Sequence, residues 1–250
     1  MSKIALISGS SRGLGAEIAK ILAANGYKVA INYFKSEDAA MQLAAQLGEN
    51  CSAFYADVSK KDDVINMISN IKECFKDAPA ILINNALANY QFNGDFRAKA
   101  QDISWEEVQN QMDVTVKGSM NLIQSLIPDM SSKSYGKIIN IGTNLFQNPV
   151  VPYHDYIIAK GALLALTRSF AKDLGQFGIR VNMISGGLLK VTDASSSTPD
   201  EVFDYISEQT PVGAVTTTED FAKTILFFAS NDSDAITGQN MTVDGGLTFN

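Results

Sequence analysis

"KIALISGSSRGLGAEIAKILAANG", residues 3–26, decides the fold. A short apolar run is cut by a glycine-bearing turn. A helical pattern follows, with Ile18, Ile21 and Leu22 on one face and Gly26 just past its end. The apolar run reads as a buried strand. The turn itself, "SGSSRGLG" at 8–15, carries Gly9, Gly13 and Gly15. Glycine permits positive φ and close approach of a ligand to the backbone. The helix after it offers free N–H groups and a partial positive charge to a phosphate. Strand, glycine turn and helix in that order point to nucleotide binding, with a merely tight turn as the alternative.

The alternation continues along the chain. "YKVAINYF", "CSAFYADV", "AILINNA", "GKIINIGT", "GIRVNMIS" and "QNMTVDGG" read as strands. "SEDAAMQLAAQLGE", with Ser36 as its expected N-cap, "KDDVINMISNIKECF" and a long stretch around 153–175 read as helices. Strands such as "AILIN" are apolar nearly throughout, as burial on both faces requires. The pattern predicts an α/β fold: a single Rossmann-type domain over residues 1–250, a doubly wound parallel sheet with helices on both faces. The irregular stretch 190–218, rich in Ser and Thr with a short helix inside, is a candidate mobile substrate lid, or else a surface excursion.

Composition narrows the function. The chain has 250 residues, 46% hydrophobic and 19% charged, which suits one sizeable globular domain. No run of about 18 uncharged apolar residues stands out as a membrane span, and the N-terminus lacks the pattern of a signal peptide. A cytoplasmic protein without a membrane partner is expected. The net charge of −7 argues against nucleic acid as a partner. Cys51 and Cys74 form no CxxC pattern and His154 is the sole histidine, so no metal site is expected.

"YIIAK" places Tyr156 and Lys160 four residues apart, on one face if the stretch is helical. A phenol beside a fixed cation is a candidate proton donor. The ordinary tyrosine pKa of about 10 is high for that work. A neighbouring ammonium favours phenolate and is expected to lower it. Alone, the pair would read as surface helix.

Together the motifs are more specific. The GxxxGxG turn after Ser8, "NNA" at 84–86, Tyr156-x-x-x-Lys160 and the closing "TGQNMTVDGG" resemble the short-chain dehydrogenase/reductase family over essentially the whole chain. Ser8 stands where that family usually has threonine, and Leu87 where NNAG has its last glycine. The resemblance implies an oxidoreductase that interconverts a carbonyl and an alcohol with a nicotinamide cofactor. It implies cofactor contacts from Gly9, Ser11, Arg12, Gly13, Leu14 and Gly15, from Asn85 and Ala86, and from Tyr156 and Lys160. Asp57 and Val58 match the adenine-binding pair, though Asp57 could equally cap a helix. Gly187 and Thr192 follow the sixth strand, where the family contacts the nicotinamide. Thr143, thirteen residues before Tyr156, takes the place of a substrate-bonding serine, or else only ends its strand. "VTVKGSMNLIQ" sets Thr115 where the family's asparagine holds a relay water through its main-chain carbonyl. Gly186 replaces a proline, and the paired glycines would loosen the segment that follows.

Tyr33 ends the second strand, where NAD-selective members carry Asp, and no carboxylate follows until Glu37. Arg12, Lys35 and Ser36 could hold a 2′-phosphate, so NADP(H) is expected in preference to NAD(H). The alternative is that Arg12 and Lys35 are solvated surface charges. The broad resemblance is to 3-oxoacyl-acyl-carrier-protein reductases. In those, the acidic carrier docks on basic residues at two places that here hold Ser134, with Lys133 adjacent, and Phe177. Carrier-protein docking is therefore open, and a small carbonyl or alcohol is the expected substrate. The segment after the fourth strand is longer than usual. Its Tyr90, Phe92 and Phe96 line a substrate pocket or cover the core, and His154 touches substrate or only starts its helix. An NAD-linked sugar or polyol dehydrogenase is a second reading. A nucleotide-sensing protein that lost turnover is a third, prompted by Thr115, Thr143 and Gly186. The resemblance also implies a homotetramer built through the long helices and the last strand.

Overall fold

The computed structural model describes residues 3–249 apart from 89, 91, 191, 193, 194 and 197. Seven strands form one parallel sheet: β1 Ile4–Ile7, β2 Lys28–Tyr33, β3 Cys51–Tyr55, β4 Ile81–Asn84, β5 Gly136–Thr143, β6 Ile179–Gly186 and β7 Asn240–Val243. Their order is β3-β2-β1-β4-β5-β6-β7. The helices are α1 Gly13–Ala24, α2 Glu37–Leu47, α3 Lys61–Phe75, α4 Trp105–Met112, α5 Gly118–Ser132, α6 His154–Leu174, α7 Asp200–Gln209 and α8 Thr218–Ala229. A π-helical turn, Asp113–Lys117, joins α4 to α5.

Alternation along each strand feeds two cores. Ala5 and Ile7 of β1 point to one face, where Ile18 and Leu22 of α1, Leu43 of α2 and Phe221, Ile225 and Phe228 of α8 cover them. Ile4 and Leu6 point to the other, against Met67 and Ile71 of α3, Leu126 of α5 and Leu163 of α6. Burying each such aliphatic side chain contributes about 1.5–3 kcal/mol. Every residue of β1, β4 and β5 is buried, which is why these runs carry no polar alternation.

The seven strands fall where the sequence pattern sets them. Helices α4, α5 and α8 are less legible. The π turn, "DVTVK", breaks the 3.6-residue period between α4 and α5, and "TILFFA" in α8 reads equally as a strand. Their start signals are present: capping boxes at Ser104/Glu107 and at Thr217/Asp220. Ser36 does occupy the N-cap position of α2, but its side chain makes no capping bond.

β1 lies between β2 and β4, so the chain changes direction across the sheet there. A crevice opens beyond the strand ends at such a point. The β1 glycine turn and the residues after β4 meet at its rim.

Candidate active site

The glycine turn is held by its neighbours rather than by itself. Gly9 and Gly13 have φ of 61° and 57°, a region that L side chains rarely adopt. Asn32, fully inside the protein at the end of β2, accepts the Gly9 N–H through Oδ1 at 3.0 Å and donates through Nδ2 to the Tyr33 and Ala56 carbonyls. Ser8 Oγ accepts the Asn85 and Ala86 N–H groups, both at 3.0 Å, and Asn85 Nδ2 donates to the Ser8 and Gly9 carbonyls. A Cβ on Gly15 would sit 2.7 Å from Asn85 Nδ2. A Cβ on Gly13 would meet nothing nearer than Thr192 Cβ at 4.0 Å. Space therefore remains above the turn, and α1 begins there with no side chain capping its N–H groups. That cradle suits a dinucleotide phosphate. Ser11 and Leu14 are half-buried in it and Arg12 is exposed at its rim.

Several placements sharpen or correct the sequence reading. Thr192 lies over Gly13, and its hydroxyl and amide bond Ser195. Gly186 is no hinge: it is the last residue of β6, paired with Thr143 on one side and Val243 on the other. A Cβ there would strike the Phe221 ring at 2.9 Å. Gly187 fits between Asn144 and Asp244 for the same steric reason. The stretch 190–218 is tied at its base by a bridge between Lys190 and Thr217 and carries α7; residues 191, 193, 194 and 197 lie outside the described residues.

The assumption that no carboxylate stands at the tip of β2 fails. The first turn of α2 brings Glu37 back, and its Oε1 accepts the Tyr33 hydroxyl at 3.0 Å. Lys35 is exposed with its ammonium over the Phe34 ring, and Ser36 is half-buried. Asp57 does not cap α3, whose N-cap is Lys60. Its carboxylate instead holds the Ser59 amide and hydroxyl. Val58 packs under Gly118, and its carbonyl accepts from Asn121.

On the other side of the crevice, the end of β5 and the start of α6 bring Thr143, Tyr156 and Lys160 together. They are 4%, 8% and 3% exposed, so the group is nearly dry. Lys160 Nζ donates to the Ile141 carbonyl at 2.6 Å and lies 5.7 Å from the Tyr156 ring centre. Burial brings the Lys160 pKa down to about 8. Burial also pushes Tyr156 up to about 12, and its bond with Thr143 pulls weakly the other way. Burial thus sets the direction for Tyr156, and what opposes it is the Thr143 bond, not the expected lowering by Lys160. Thr143 ends β5 and its Oγ1 also accepts the Leu145 amide. Thr115 sits in the π turn against α6, and its carbonyl accepts the Ser119 hydroxyl at 2.7 Å. The Thr115 hydroxyl is buried without a hydrogen-bond partner among the described residues.

Beyond Tyr156 the segment after β4 folds inward. Tyr90 and Phe92 pack on the Tyr156 ring, whereas Phe96 is 91% exposed and neither lines the site nor covers the core. Burial, with the Asp155 carboxylate second, pushes the Tyr90 hydroxyl well above the usual range. His154 begins α6 and lines an outer apolar groove of about 410 Å³ with Pro149, Val150 and Ile158. Lys133, beside Ser134, is ion-paired with Asp77, and Phe177 is exposed. Among the described residues no helix is long and apolar enough to cross a membrane.

A doubly wound parallel sheet with a glycine cradle on one lip and a Thr-Tyr-Lys cluster on the other defines a dinucleotide-dependent oxidoreductase. The comparisons give the family. The family model described as enoyl-(acyl carrier protein) reductase matches residues 9–248, and the chain belongs to this branch of the short-chain dehydrogenases/reductases. It is an oxidoreductase acting on a carbonyl–alcohol pair. The 3-oxoacyl-[acyl-carrier-protein] reductase FabG of Staphylococcus epidermidis is 34% identical over 250 residues, covering 99% of each chain. A 3-ketoacyl-(acyl-carrier-protein) reductase from Brucella melitensis, complexed with NADH, superposes with a TM-score of 0.88 at 26% identity, covering 98% of both chains. A gluconate 5-dehydrogenase from Burkholderia cenocepacia, in complex with NADP and tartrate, gives 0.87 at 28% identity, covering 98% of this chain and 94% of the other.

Proposed function

We propose that the protein is an NADP(H)-dependent carbonyl reductase acting on a 3-oxoacyl thioester or a related small ketone. The observation that carries this is the dry cluster of Thr143, Tyr156 and Lys160 facing the glycine cradle across the crevice. Residues 9–15, with Asn85 and Ala86 behind them, would hold the pyrophosphate; Asp57 and Val58 would flank the adenine; Gly187 and Thr192 would reach the nicotinamide end. When bound, the reduced nicotinamide supplies a hydride to the carbonyl carbon. The Thr143 hydroxyl donates a hydrogen bond to the carbonyl oxygen and positions it. The Tyr156 hydroxyl gives that oxygen its proton and is left as phenolate. Lys160, with a pKa of about 8, is mostly charged at neutral pH and stabilises that phenolate. The Thr115 carbonyl is the proposed entry of the relay that reprotonates Tyr156. Thr143 keeps the hydroxyl that the step needs, so its replacement of serine does not remove the chemistry.

Arg12, Lys35 and Ser36 support the 2′-phosphate. Glu37, held on Tyr33, favours instead the ribose hydroxyls of NAD(H) and, with the likeness to a gluconate dehydrogenase, supports an NAD-linked sugar or polyol dehydrogenase as the second reading. Purified protein is mixed with NADPH or NADH and a panel of 3-oxoacyl thioesters, ketones and sugar acids. NADPH consumption on the thioesters, abolished in Tyr156→Phe, is the expected result; turnover confined to NADH and polyols would replace the first reading by the second. Arg12→Ala is expected to weaken NADPH more than NADH, and Glu37→Gln to do the reverse. Because Lys133 is engaged by Asp77, thioesters of small carriers are expected to serve as well as those of a carrier protein. A homotetramer is proposed from the apolar side chains left exposed on α6 and β7, Ile158 and Met241; light scattering checks it.

A further inference from the structure

The segment after β4 reaches the site through a clamp that the reaction scheme does not use. Arg97 Nη2 donates to Asp155 Oδ2 at 2.7 Å, and the Tyr90 hydroxyl donates to Asp155 Oδ1 at 3.1 Å. The Arg97 guanidinium also stacks 4.3 Å from the Tyr90 ring centre. Asp155 is 3% exposed, so its charge depends on these partners. It is also the residue next to Tyr156 on the first turn of α6. On the same segment, the Gly94 amide donates to the Tyr153 hydroxyl at 2.7 Å, and Leu87 packs into the same cluster. The outcome is a wall of rings. Tyr90 and Phe92 stand 5.4 and 5.3 Å from the Tyr156 ring centre, one tilted and one edge-on, and 5.0 Å from each other.

We propose that Arg97 is a positioning residue for Tyr156: through Asp155 it keeps Tyr90 and Phe92 closed on the Tyr156 ring, and the wall they make restricts the site to compact carbonyl substrates. The assignment rests on Tyr156 as the proton donor. Two consequences follow from the geometry. Loosening the clamp frees the ring that carries the reacting hydroxyl, which acts on turnover more than on binding. Removing one ring from the wall leaves the clamp in place and opens room for a longer chain.

The test compares Arg97→Met, Arg97→Lys and Phe92→Ala with the unchanged protein, using four-carbon and eight-carbon 3-oxoacyl thioesters and NADPH. Arg97→Met is expected to lower kcat on the short substrate about tenfold with NADPH affinity unchanged, and Arg97→Lys to recover most of it. Phe92→Ala is expected to raise the eight-to-four-carbon ratio of kcat/KM at least tenfold. Full kcat in Arg97→Met, or a ratio within twofold in Phe92→Ala, overturns the proposal. Should Arg97→Met not fold, the ratio in Phe92→Ala decides. Should the unchanged protein reduce no carbonyl, the functional reading fails and the substrate restriction falls with it. The clamp then stands or falls on hydrogen exchange: Arg97→Lys should leave the Gly94 amide protected and Asp155→Asn should speed its exchange, and equal rates in both overturn it.

Discussion

Lys160 keeps its ammonium on the Ile141 carbonyl with almost no water around it. Its pKa, near 8 when folded, lies below the unfolded value of about 10.5. Below pH 8 the folded state therefore bears the full cost of the buried charge. Stability rises with pH through the window from 8 to about 10.5, where the unfolded chain still binds the proton and the folded chain does not. Tyr156, raised to about 12, acts oppositely, but only above pH 10. Urea melts of the unchanged protein and Lys160→Met at pH 7 and pH 9.5 should show the unchanged protein gaining about 2 kcal/mol on the variant. Tyr156→Phe should lose about 10²–10⁴ in kcat while binding cofactor normally, as fluorescence titration would show. Spacing alone leaves Tyr156 and Lys160 as surface helix; only the motifs taken together, through the family they resemble, mark them and Thr143 as a candidate site. The direction of the tyrosine shift is not in the spacing, because it depends on how much water the fold removes. Glu37 hides for a similar reason: four positions from Tyr33 along the chain, it meets the phenol only once α2 turns it back.

Among the elements, β6 shows how a departure from a family pattern can be absorbed. Gly186 lets the Phe221 ring of α8 lie against the strand, in the place that a side chain would need. Gly186→Ala should cost about 1–3 kcal/mol. In calorimetry that is a melting temperature lower by several degrees, and Phe221→Leu in the same chain should recover part of it. Asn32 is a buried polar residue that strand patterning passes over. It reads as one polar interruption in "VAINY", yet its side chain fastens the turn of β1 to β2 and β3. Asn32→Ala should weaken cofactor binding through the freed Gly9 amide and cost about 1–3 kcal/mol in denaturant melts. The strands were legible because near-continuous apolar runs have few other readings. The π turn was not, since its extra residue shifts the face of every side chain that follows.

At the scale of the whole molecule, the crevice follows from strand order: β2 and β3 lie on one side of β1, and β4 to β7 on the other. The sequence can state the alternation; that β1 comes to lie between β2 and β4, where the order reverses, needs the assembled sheet. A ligand bound only by the folded form stabilises it by mass action. The nicotinamide cofactor at about a hundred times its Kd should contribute about 2.7 kcal/mol, and a melt with it should rise by about 5–10 °C.

The bonds from Ser8 to Asn85 and Ala86 span 77 and 78 positions of the chain. During synthesis, β1, the glycine turn, α1 and β2 leave the ribosome first and can pair early. Ser8 then still lacks the amides that close the turn from behind, and Gly15 lacks the asparagine that fixes its height. The cradle is therefore a late-maturing part built on an early-made one. A nascent chain stalled before β4 should be unable to retain cofactor, so that metabolite capture begins only when the second half of the sheet has started to form.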